Sequence, residues 1–115
     1  MIEVSKHLHS ILSAYLPLTN VVQTRIYPLI ANETVVFPFA VYGFGEVPYE
    51  SKDACAYTVN VAVWFDQNKI IEAYTMADVL KTLAELNSWE FINTNVDYSD
   101  VTQKIFSEIN FKIIM

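Results

Sequence analysis

The chain has 115 residues, which suits one domain spanning 1–115 with its own buried core and leaves no room for two. With 53% hydrophobic and 14% aromatic residues against 17% charged, it is too apolar to be disordered, and the surplus must fill a dense core or cover itself against other subunits. The formal charge of −6, with seven scattered Lys and Arg, excludes the basic stripe of a sequence-specific nucleic-acid binder and repels anionic lipid.

Val4, Leu8, Ile11, Leu12 and Tyr15 recur at helical spacing and predict an amphipathic first helix that Pro17 ends. Thr24 to Pro28 reads as a short extended piece, and residues 29–37 as a connector. Pro38 opens a strand over Phe39–Glu46, which holds both glycines, Gly43 and Gly45; two on one strand suggest a bulge or a close backbone approach. The polar stretch 47–54 reads as the tip of a long hairpin. The returning strand alternates, with Tyr57, Val59, Val61, Val63 and Phe65 on one face and Thr58, Asn60, Ala62 and Trp64 on the other.

Asp66 or Asn68 is expected to cap a second helix over roughly residues 68 to 86. Its expected buried stripe is Ile70, Ala73, Tyr74, Ala77, Leu80, Leu83 and Ala84. Strands around Trp89–Asp97 and Ile105–Ile114 close the chain. The order α-β-β-β-α-β-β predicts an α+β fold, a mostly antiparallel sheet of about five strands with two helices on one face.

The search for chemistry yields no catalytic, cofactor or metal set. His7 and His9 lie two apart on a helix and so point about 200° apart around the axis. The single cysteine, Cys55, has no neighbouring histidine and no disulfide partner, which fits a reducing cytoplasm. Gly43-Phe44-Gly45-Glu46 lacks the spacing of a phosphate loop and precedes a strand. Asp97 and Asp100 lack the pattern of a calcium loop, and nothing places Glu90 near Glu108. No signal peptide or apolar run of about 20 residues is present, so a soluble cytosolic protein without a membrane partner is expected. The remaining signal is aromatic: Tyr42, Phe44, Trp64 and Phe106 are expected to line a subunit interface on the sheet. On that reading Trp64→Glu or Phe44→Glu blocks assembly and leaves the fold intact.

Arg25-Ile26-Tyr27-Pro28 and Phe37-Pro38-Phe39-Ala40-Val41-Tyr42, followed by Val61-Ala62-Val63-Trp64-Phe65-Asp66 and a closing strand from Phe106 to Ile113, carry a family resemblance. The chain resembles, over nearly its whole length, the tail-completion proteins of long-tailed bacteriophages and prophages, also called tail terminators or head–tail joining proteins. The resemblance implies a non-enzymatic subunit of a ring, commonly a hexamer, at the head-proximal end of the tail tube. Its partners would be copies of itself, the tail-tube protein and the head connector. Its places would be the bacterial cytoplasm during assembly and then the virion tail. An acidic ring suits a lumen through which DNA slides. The hairpin tip, Pro48, Tyr49, Glu50 and Lys52, is the expected neighbour or lumen contact. Arg25 is read either as part of such a contact or as an anchor beside the Tyr27-Pro28 turn. The competing reading is a small cytosolic adaptor that oligomerises through its sheet.

Overall fold

The computed structural model describes residues 2–28, 37–47, 56–99 and 104–114. The elements are α1 (Ile2–Ala14), α2 (Leu16–Val22), β1 (Ile26–Pro28), β2 (Phe39–Val47), β3 (Ala56–Phe65), α3 (Ile70–Leu86), β4 (Glu90–Ser99) and β5 (Lys104–Ile114). The strands form one mixed sheet in the order β1-β2-β3-β5-β4. Only the β1–β2 pairing is parallel, so the expected mostly antiparallel sheet holds, with three helices in place of two.

The extra helix corrects the reading of Pro17. This proline ends nothing; it sits in the first turn of α2, where its missing N–H is one of the donors a helix leaves unpaired. Tyr15 marks the break, with an extended backbone at φ −85° and ψ 102°. Its hydroxyl donates to the Val79 carbonyl of α3 at 3.4 Å. Leu8 and Leu12 of α1 and Leu18 and Val22 of α2 are fully buried, so both short helices join one core.

The strands alternate as their sequence demands. In β5, Ile105, Ser107, Ile109, Phe111 and Ile113 are buried, while Phe106, Glu108, Asn110 and Lys112 are half-exposed. The Val59, Val61, Val63 and Phe65 face of β3 lies on the same side, under the helices. The Ser107 hydroxyl donates to the Ala73 carbonyl of α3, which satisfies this fully buried polar side chain. Trp89 stacks on Phe111 with centroids 4.5 Å apart.

Helix α3 differs from its expected pattern at its start. Lys69 occupies the N-cap position without a side-chain cap bond, and Asp66 pairs instead with Lys104 at 2.9 Å. Met76 replaces Ile70 and Tyr74 in the buried stripe: Met76 is 2% exposed, Ile70 42% and Tyr74 59%. The first turn therefore overhangs the core before the helix packs. The two glycines produce no bulge, because the β2–β3 register runs unbroken through Gly43↔Asn60 and Gly45↔Thr58. A Cβ at Gly45 would meet only the Thr58 Oγ1, at 3.8 Å, which is ordinary contact. The one register shift lies in β4, between Phe91 and Asn93.

Candidate functional site

All three helices pack on one side, and the described residues leave the other side of the sheet without a covering layer. Register decides which residues reach that open face. Phe39 lies opposite Trp64, and Trp64 opposite Phe106, so these three share it. Tyr27 lies opposite Val41, two positions along β2 from Phe39, and joins the same face.

The result is a strip of half-buried rings across four strands. Tyr27 meets Phe39 edge-on at 6.4 Å, Phe37 lies 5.0 Å from Phe39, and Trp64 lies 4.8 Å from Phe106. Contacts of this kind contribute roughly 0.5–1.5 kcal/mol each beyond area burial. Lys104 closes one end, with its ammonium 5.1 Å from the Phe37 ring and ion-paired to Asp66. Arg25 holds the other: its Nε donates to the Pro38 carbonyl at 2.8 Å and its Nη1 to Gln23 Oε1 at 3.2 Å. Arg25 is thus an anchor, and it ties the Arg-Ile-Tyr-Pro segment to the Phe-Pro-Phe segment that carries two of the five rings.

Two of the four aromatic residues expected at an interface fall elsewhere. Tyr42 lies opposite Val61, on the helix-facing side, and is 3% exposed; its hydroxyl meets His9 Nδ1 of α1 at 3.3 Å. Phe44 lies opposite Val59 on that same side and packs edge-on against Tyr57 at 6.2 Å. Tyr42 and Phe44 do share a face with each other, but it is the face away from Trp64 and Phe106. Tyr27, Phe37 and Phe39 take their place. The hairpin tip, with Pro48, Tyr49, Glu50 and Lys52, lies outside the described residues, as do Cys55 and Asp100.

Beyond the aromatic strip the open face turns polar. Asn60 Nδ2 donates to Asn110 Oδ1 at 3.0 Å, and Asn110 Nδ2 donates to Asn93 Oδ1 at 2.7 Å and to Glu108 Oε1 at 3.1 Å. A carboxylate accepts and does not donate, so Glu108 sets which way the Asn110 amide points and, through it, the polarity of the whole row. The shallow trough above, about 470 Å³, is lined by Gly43, Gly45, Thr58, Asn60, Asn93 and Asn110, which supply no nucleophile beside a base. Glu90 lies opposite Lys112 and Glu108 opposite Asn95, four positions apart on β5 and so about 13 Å apart along the strand. Among the described residues, no three His, Cys, Asp or Glu side chains gather as metal ligands. No described helix is long and apolar enough to cross a membrane. Neither the protein-family models nor the curated proteins yield a match to this chain.

Proposed function

We propose that the chain is a structural virion-assembly protein of a bacteriophage or prophage: a tail terminator that forms a ring at the head-proximal end of the tail tube and joins tail to head. The observation that carries this reading is the aromatic strip of Tyr27, Phe37, Phe39, Trp64 and Phe106 on a sheet face that the chain's own helices leave bare. Large rings at a surface are the side chains subunit interfaces use as anchors. All four stretches that resemble the tail-completion family contribute to the strip, and Arg25 binds the first two together.

A closed ring needs two different surfaces, each complementary to the other. The strip supplies one. A groove of about 240 Å³ between α2 and α3, lined by Pro17, Val21, Ile71, Met76 and Val79, supplies an apolar surface on the opposite side, with Ile71 74% and Leu16 68% exposed beside it. Two different surfaces, inclined so that the rotation between copies closes, are what a head-to-tail ring demands.

The test is assembly with the tail-tube protein of the same phage or prophage. Added to polymerising tube protein, the chain is expected to halt elongation, giving capped tubes that electron microscopy resolves as ending in a ring. Trp64→Glu and Phe106→Glu are expected to abolish capping while the variants keep wild-type circular dichroism. Tubes that grow unchecked in the presence of the wild-type chain would sink the terminator reading. Self-association without tube binding would leave the sheet-mediated adaptor in its place.

A further inference from the structure

We propose that the outer edge of β4 pairs with the same edge of a second copy of this chain, antiparallel about a two-fold axis at Val96, so that two five-stranded sheets become one. The inference stands apart from the ring reading, because it uses neither the aromatic strip nor the α2–α3 groove.

The two ends of the sheet are unequal. β1 closes one end with three residues, whereas β4 closes the other with ten, and among the described residues no strand lies beyond it. A long open edge offers a row of backbone donors and acceptors to another chain, and stable monomers blunt such edges with lysine, proline or a bulge. From Asn93 to Tyr98, β4 has none of these. Its bulge lies before Asn93, and its one charge in that stretch, Asp97, accepts the Tyr98 N–H at 2.7 Å, a bond that the pairing exchanges for one to the second copy. On the helix side the edge is flanked by apolar surface that α3 does not cover: Tyr98 is 46% exposed, and Ile70 lines a groove with Val96, Tyr98 and Ile105.

Self-complementarity identifies the occupant. With the axis at Val96, Val96 meets Val96, Thr94 meets Tyr98 and Asn95 meets Asp97. The pairing with β5 puts Thr94, Val96 and Tyr98 opposite Ile109, Ser107 and Ile105, on the helix side. Asn95 and Asp97 lie opposite Glu108 and Phe106, on the open side. Every pair across the axis therefore shares a face, as antiparallel neighbours must. The apolar members meet on the helix side, the carboxylate meets a carboxamide donor, and the symmetry makes each unlike contact twice. Moving the axis to Asp97 would set two carboxylates opposite each other, and moving it towards Thr94 would run the pairing into the bulge.

Sedimentation equilibrium on the full chain tests this with a charge swap at two exposed positions. The wild type is expected to dimerise. Asn95→Asp places like charges opposite each other twice and is expected to weaken the dimer at least about fivefold. Adding Asp97→Lys to Asn95→Asp turns both contacts into opposite-charge pairs and is expected to restore it. Trp64→Glu is expected to leave this dimer unchanged. Should Asn95→Asp fail to fold, amide exchange on the wild type decides: the β4 amides are expected to gain protection as concentration rises. A chain that stays monomeric up to about 1 mM overturns the proposal. So does a dimer equally tight in all three chains, one lost in Trp64→Glu, or β4 protection that does not change with concentration.

Discussion

Arg25, Phe44 and Gly45 show how one neighbour decides what a residue does. The Arg25 guanidinium is committed to the Pro38 carbonyl and Gln23, so it organises the chain around the aromatic strip. Phe44 sits between two glycines on a strand with an open face, yet its ring points under the helices against Tyr57. Phe44→Glu would bring a carboxylate to the core margin, and a loss of at least about 2 kcal/mol in chemical denaturation is expected. Trp64→Glu, on the open face, is expected to change stability by less than about 1 kcal/mol and to act on assembly. Equal losses in both variants would show that the two faces are not distinct. Gly45 is different again. A methyl group on its Cα would find only Thr58 Oγ1 within 4 Å, so Gly45→Ala removes unfolded-state freedom at little steric cost, and a gain of roughly 0.5 kcal/mol is expected.

Among the elements, α3 and β4 depart furthest from simple patterning, for opposite reasons. Helix α3 is apolar around much of its first turns, so periodicity allows more than one buried stripe; packing against β3 and β5 selects Met76 and leaves Tyr74 in solvent. Met76→Ala is therefore expected to cost about 2–4 kcal/mol and Tyr74→Ala less than about 1 kcal/mol, measured by thermal or denaturant unfolding. Reversal of that order would place the helix one face around. Strand β4 carries little charge and keeps most of its residues exposed, because among the described residues only its β5 side is paired. Lys81 of α3 meets it through the Phe91 ring, 5.5 Å from the centroid.

For the whole molecule, shape and charge oppose each other. The chain carries −6, so copies repel, while in both proposed assemblies a bare aromatic face or a long open edge draws them together. Screening shifts that balance. Raising ionic strength from about 0.01 to about 0.15 M shortens the Debye length from about 30 to about 8 Å, and self-association is expected to strengthen several-fold in light scattering. Weakening with salt would instead show that ion pairs hold the assembly. The two surfaces also differ in symmetry: an edge paired with itself closes at two, whereas a strip meeting a different surface closes only as a ring.

The sequence by itself determined the class of fold, the strands and which residues share a side of each, because an apolar period of two or of 3.6 is a local property of the chain. The sequence did not show α2, since Pro17 suits a helix start as well as a helix end and only the core beneath Leu18 and Val22 chooses. Nor did it place Tyr42 and Phe44 correctly. A strand's alternation says which residues share a side; which side faces the helices depends on register with the next strand. A one-residue slip in the hairpin would exchange Phe39 for Ala40 beside Trp64, and only the tertiary pairing settles that choice.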